Sequence, residues 1–262
     1  MRILTIQLEI TDYENKEERI RKVDNILNKI DINSEKPDLI MLPELWGCGF
    51  FDYDAYESSA EDLNGPTVQL LSSHAKRLSC NILTGSFIEK REGKLYNTAV
   101  LLGRDGKIAG QYSKIHLYGY NSKETQLLTR GNATSVIDTE FGKVGLATCY
   151  DLRFPEQFRE MAERGAKIFL VVSAWPMVRV EHWRLFNRVR ALENQCFMIS
   201  CDCAGSQNGT VNAGHSMIVK PDGTVIAEAD DKETLLTGEI NPSEADEYRA
   251  DFPAFADRKV LF

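Results

Sequence analysis

The sequence predicts one α/β domain. Three observations predict it. Short apolar runs of strand length alternate with amphipathic stretches of helical period from end to end. No tract rich in Gly, Pro or Ser divides the chain, and none is of low complexity. The 262 residues are 43% hydrophobic and 27% charged, enough apolar side chain to offset the ordering entropy that keeps polar chains unfolded.

The elements follow in order. Arg2 to Leu8 reads as a first strand rather than a signal peptide. From Asn15 to Ile32, Ile20, Val23, Ile26, Leu27 and Ile30 form an apolar stripe at helical spacing. Asp38 to Leu42 is an apolar run stopped by Pro43, the pattern of a buried parallel strand. Pro66 to Ser79 is a second helix, with Leu70, Leu71, Ala75 and Leu78 on its stripe. Strands follow at Asn81 to Ser86, Asn97 to Leu102 and Lys107 to Tyr112, separated by the hairpin signals Glu92-Gly93-Lys94 and Asp105-Gly106. The second half repeats the scheme. Lys143 to Thr148 and Lys167 to Ser173 are strands around a helix from Pro155 to Arg164 that Gly165 ends. Val180 to Asn194 is a helix with Trp183, Phe186, Val189 and Leu192 on one side. Phe197 to Cys201, Ser216 to Lys220, Val225 to Glu228 and Leu235 to Ile240 complete the strands. From about Asn241 no period is legible, and the expectation is an irregular tail at the end of a single domain spanning 1–262.

Composition narrows the function. Lys plus Arg number 31 and Asp plus Glu 39, a net charge of −8. That balance argues against nucleic acid or a membrane surface as partner, since both need a basic footprint. The densest apolar run, Ile168 to Val172, is of core-strand length, far short of the roughly 18 residues of a membrane span. The six cysteines are too sparse for a disulfide scaffold and default to thiols in a reducing compartment, so the expected location is cytoplasmic.

Three reactive residues share one local grammar. Glu44, Lys114 and Cys149 each sit just past the end of an apolar strand. Carboxyl ends of strands are where ligand sites of α/β folds assemble. A thiol that attacks, a carboxylate that moves protons and an ammonium that steadies an oxyanion suit acyl transfer. Taken singly, each also reads as a cap, a solvated lysine or a buried small hydrophobe.

The ordered set resembles the nitrilase superfamily of carbon–nitrogen hydrolases over nearly the whole chain. The anchors are Leu42-Pro43-Glu44-Leu45-Trp46, Tyr112-Ser113-Lys114-Ile115-His116-Leu117 and Cys149-Tyr150-Asp151-Leu152-Arg153-Phe154-Pro155-Glu156. Tyr96-Asn97-Thr98 and Arg190-Ala191-Leu192-Glu193-Asn194 add to them. The resemblance implies an αββα sandwich that pairs into a homodimer or a higher homo-oligomer. It implies Glu44 as general base, Lys114 as oxyanion donor, Cys149 as nucleophile and Glu124 as a second, assisting glutamate. It implies no cofactor and no metal. The Tyr150 backbone N–H is the expected second oxyanion donor. Lys114 would favour the thiolate, or Glu44 would take the proton as sulfur attacks; both routes are open at this point.

The stretch from Ser173 to Trp183, with Trp175-Pro176, Arg179 and His182-Trp183, resembles the ω-amidase branch. That branch acts on monoamides of dicarboxylates, such as 2-oxoglutaramate and 2-oxosuccinamate. A distal carboxylate calls for a planar two-pronged cation, for which Arg179 is the first candidate and Arg153 the second. Tyr118 and Trp175 are expected to wall the pocket of a small amide substrate. The alternatives are another amidase or N-carbamoyl hydrolase of the superfamily, and a non-catalytic scaffold. Cys196, Cys201 and Cys203 lack the second ligand pair of a zinc site, and no phosphate loop, dinucleotide fingerprint or His-Glu-x-x-His motif is present.

Overall fold

A computed structural model describes residues 1–31 and 36–259. Two six-stranded sheets face each other. The first has the spatial order Thr234–Glu239, Arg2–Gln7, Leu39–Met41, Asn81–Arg91, Lys94–Leu102, Ile108–Ser113. The second has the order Val225–Glu228, Met217–Val219, Phe197–Asp202, Ile168–Ser173, Gly142–Thr148, Ser135–Thr139. In each, central parallel strands are flanked by antiparallel ones.

Side-chain alternation builds the layers. Ile168, Leu170 and Val172 point between the sheets, with Leu39, Met41, Leu83 and Leu101 opposite. Phe169 and Val171 point outward to Phe158, Met161 and Trp183 of the helices Pro155–Glu163 and Val180–Asn194. Ile40 and Leu42 point the other way, to Val23 and Leu27 of Lys16–Asn28 and to Leu71, Ala75 and Leu78 of Pro66–Leu78. The result is an αββα sandwich. Its strands are covered on both faces, which is why they read as continuous apolar runs.

Local chemistry sets the ends. Asn15 caps its helix in a capping box, accepting from the N–H of Glu18 at 2.9 Å while Glu18 accepts from the N–H of Asn15 at 2.9 Å. Ile32, which closes the stripe read from sequence, lies outside the described residues. Glu92 and Gly93, at φ of 52° and 73°, turn the hairpin between Asn81–Arg91 and Lys94–Leu102.

Three expectations change. The tail after Asn241 is not wholly irregular: it carries a helix, Glu244–Asp251, packed on its own chain. Arg249 there donates to the carbonyl of Asn194 at 2.9 Å. Ala245 is its one buried residue, so no period was left to read. In Val180–Asn194 the buried face is Trp183, Asn187, Arg190, Ala191 and Asn194, while Leu192 is 48% exposed. Polar residues turn inward because partners wait there: Arg190 donates to the carbonyl of Leu152 at 3.0 Å. The edge strand Ser135–Thr139 and a small sheet of Glu9–Thr11, Ala204–Gln207 and Thr210–Val211 escaped the pattern, being short and part-exposed. Among the described residues no helix is long and apolar enough to cross a membrane.

Gly85 shows how the sheet shapes the loop that carries Glu44. Its φ is +71°, and a Cβ there would lie 2.1 Å from the carbonyl oxygen of Pro43. Gly85→Ala is expected to cost about 2–3 kcal/mol from overpacking and a forced left-handed backbone. Urea unfolding measures it; a midpoint equal to that of the parent would contradict the close approach.

Candidate active site

The loops that follow three strands converge across the two sheets. Glu44 lies beyond Leu39–Met41 and Lys114 directly after Ile108–Ser113, both from the first sheet. Cys149 follows Gly142–Thr148 of the second. The backbone binds the halves together, with Glu44 N–H donating to the Ser173 carbonyl at 3.2 Å.

Cys149 is held in a tight turn at φ +48°, a conformation a non-glycine residue adopts only under surrounding constraint. Asp151 supplies that constraint. It is fully buried, accepting from the Thr148 N–H at 2.9 Å and the Tyr112 hydroxyl at 2.7 Å. Its other oxygen accepts from the His116 N–H at 3.1 Å. One carboxylate thus ties the turn of Cys149 to the loop of Lys114.

The charged cluster lies next to it. Lys114 Nζ is 2.8 Å from Glu44 Oε1 and 3.0 Å from Glu124 Oε1. Asn97 Nδ2 donates to the same two carboxylates at 2.7 and 3.2 Å. The N–H of Ala174 donates to Glu44 Oε2 at 2.9 Å, and that of Tyr118 to Glu124 Oε2 at 2.6 Å. All four side chains are 0% exposed. Burial alone would discharge Lys114, but Glu124 and Glu44 outweigh it and hold the ammonium well above its usual range. Burial, opposed by Lys114 and aided by Glu44, pushes the Glu124 carboxyl up. Burial and then Glu44 push the Cys149 thiol well above its ordinary value, against the pull of Lys114.

Cys149 opens into a pocket of about 320 Å³, mouth included. Tyr118, Tyr150, Arg153, Trp175 and Arg179, all named from sequence, line it, joined by Phe50 and Phe51, which were not. Trp175 is buried and its indole N–H donates to the Arg179 carbonyl at 2.8 Å. The Arg153 guanidinium stacks 5.1 Å from the Trp175 ring centroid, and that of Arg179 lies 5.4 Å from that of Tyr120. Among the described residues neither arginine has a carboxylate within salt-bridge distance. Asn97 was missed as a site residue; the signal was Tyr96-Asn97-Thr98, placed on a strand but not aimed at Glu44. Cys201 and Cys203 turn their thiols to main-chain carbonyls, and no metal-holding cluster occurs among the described residues.

The site sets a buried thiol beside a buried Glu–Lys–Glu cluster within this fold, and the comparisons give the family. The carbon–nitrogen hydrolase profile matches residues 2–250. A 2-oxoglutaramate amidase of Bacillus subtilis is 33% identical over 99% of this chain and 98% of its own. One of Paenarthrobacter nicotinovorans is 32% identical over 98% of this chain and 89% of its own. Nit3 of Saccharomyces cerevisiae, a crystal structure described as a member of branch 10 of the nitrilase superfamily, superposes with a TM-score of 0.88 at 27% identity, covering 100% and 97% of the two chains. The chain belongs to the carbon–nitrogen hydrolase family.

Removing the cation tests the cluster. Lys114→Met leaves two buried carboxylates unpaired and is expected to cost about 3–5 kcal/mol near neutral pH. The raised carboxyl of Glu124 gives the sign: protonation relieves the buried charge, so the deficit shrinks as pH falls and grows as pH rises. Adding Glu44→Gln to Lys114→Met is expected to recover part of the loss. Urea unfolding at several pH values reads all three; a pH-independent deficit would contradict the charge account.

Proposed function

We propose that this protein is an ω-amidase, a thiol hydrolase that cleaves the terminal amide of small carboxylate-bearing substrates to acid and ammonia. The observation that carries the reading is the Glu44–Lys114–Glu124 cluster beside the Cys149 thiol in a pocket bordered by two guanidiniums that have no carboxylate partner among the described residues. The relatives that are 2-oxoglutaramate amidases support it.

In this reading Glu44 takes the thiol proton as Cys149 Sγ bonds to the amide carbon. The carbonyl oxygen gains the negative charge. Lys114 has three donors; Glu44 and Glu124 occupy two, and the third faces the oxyanion with the Tyr150 N–H. Losing one such donor typically costs about 3–4 kcal/mol of barrier. Glu44 then passes its proton to the leaving nitrogen, the carbon–nitrogen bond breaks, and ammonia departs from a thioester. Water attacks next. Glu44 takes its proton, the carbon–sulfur bond breaks, and the proton returns to the sulfur. Glu124 acts by holding Lys114 in place. No step calls for a metal or cofactor, because Lys114 supplies the positive charge.

Arg179 receives the distal carboxylate in this scheme, and Arg153, pinned against Trp175, shapes the wall. We also assign the protein to the cytoplasm, as a homodimer in which Leu185 and Leu192, exposed on one helix, are candidate contacts.

Ammonia release across a panel decides the class. Efficient turnover of 2-oxoglutaramate or 2-oxosuccinamate is expected, with Cys149→Ala inactive yet folded. Turnover of N-carbamoyl compounds alone would move the protein to the other branch of hydrolases, and no turnover of any amide would leave a scaffold. Arg179→Ala is expected to raise KM for dicarboxylate monoamides about 10- to 100-fold, the worth of a charge-assisted hydrogen bond, while sparing neutral amides. An equal loss on both would make Arg179 structural.

A further inference from the structure

The strand that carries the nucleophile lies beside two others whose ends are polar. In register, Thr148 pairs with Val172 and Ser173 with Asp202. Cys149, Ser173 and Asp202 therefore fall side by side at the carboxyl ends of three adjacent parallel strands. Ser173 and Asp202 are both 0% exposed. Asp202 Oδ1 accepts from the Trp175 N–H at 2.7 Å. Its Oδ2 has no aligned hydrogen bond, and neither has Ser173 Oγ. Even so, the Ser173 hydroxyl lies within interaction range of both the Cys149 thiol and the Asp202 carboxyl.

Buried polar atoms without an aligned partner are costly and call for an explanation. A negative charge on sulfur would give the Ser173 hydroxyl a strong acceptor. Hydrogen bonds of active sites are often poorly aligned at rest and tighten during reaction.

We propose that Asp202 is a positioning residue acting through Ser173: its carboxyl O–H donates to Ser173 Oγ, whose own O–H donates to Cys149 Sγ when the sulfur carries negative charge. The proposal rests on the reading of Cys149 as nucleophile. The charged group facing Asp202 is Glu44, with the thiols of Cys201 and Cys203 beside it and Arg19 near Cys203. A buried carboxyl in such company keeps its proton, and burial pushes Asp202 well above the carboxylate range. Facing Cys149 are Glu44, Lys114, Asp202 and the Tyr118 phenol. No proton leaves Asp202 at any step. The two hydrogen bonds fix the direction of the sulfur and share its charge as it attacks and again as it leaves the thioester.

The test is alkylation of Cys149 by iodoacetamide, mapped by peptide mass, together with steady-state kinetics. At a pH below the thiol midpoint, alkylation follows the thiolate fraction. Ser173→Ala and Asp202→Ala are expected to slow it roughly tenfold, the loss of one hydrogen bond to a charged sulfur. They are expected to lower kcat about tenfold with KM within about twofold. Asp202→Asn keeps both the acceptor for Trp175 and a donor toward Ser173, and is expected to restore both readouts to near the parent. Parent-like alkylation in a folded Ser173→Ala protein would overturn the proposal. So would an Asp202→Asn protein as impaired as Asp202→Ala, since that would mean an ionised carboxylate is needed. Where an alanine variant fails to fold, Asp202→Asn decides alone. A Cys149 that resists alkylation in the parent at every pH would overturn the nucleophile reading first, and the relay with it.

Discussion

Lys114 gives up its hydration entirely on folding, and the carboxylates of Glu44 and Glu124 are what replace it. The exchange is costly and its geometry is narrow. An ammonium in a dry interior needs partners at hydrogen-bond distance, and each carboxylate needs its remaining lone pairs filled. Asn97 and the backbone N–H groups of Ala174 and Tyr118 fill them. Five segments of the chain must therefore arrive together before the charge can be buried. The cluster locks the two sheets in relation to each other at the point where the thiol lies.

The same arrangement explains why the sulfur is quiet at rest. A lysine close to a cysteine usually suggests a ready thiolate. Here burial and the Glu44 charge prevail over that pull and hold the thiol well above its ordinary value. In the proposed reaction, Glu44 as base is already hydrogen-bonded to Lys114, the cation proposed to steady the oxyanion. That reading couples proton removal and charge stabilisation through one short contact rather than dividing them between distant groups.

Much of this was legible in the residues. Strands covered on both faces write continuous apolar runs, so the core strands at 39–41, 168–173 and 197–202 could be read directly. Glu44, Lys114 and Cys149 stood out because each is a reactive type just past the end of a strand-like run. What stayed hidden had a physical reason in each case. Asn97 sits within a strand, where only the partner's position reveals its task. Asp202 and Ser173 look like ordinary strand ends until register places them beside Cys149. The helix at 180–194 misled because Asn187, Arg190 and Asn194 turn inward to internal partners. The helix at 244–251 left no trace because one alanine is all that it buries.

The central claim is that the sulfur of Cys149 becomes covalently joined to the acyl half of the substrate. Rapid quenching of the parent protein during turnover of a slow amide, followed by peptide mass mapping, measures this directly. The account predicts an acyl mass increment on the peptide that contains Cys149, discharged slowly by water. Ammonia released in a first turnover with no increment on that peptide would contradict it.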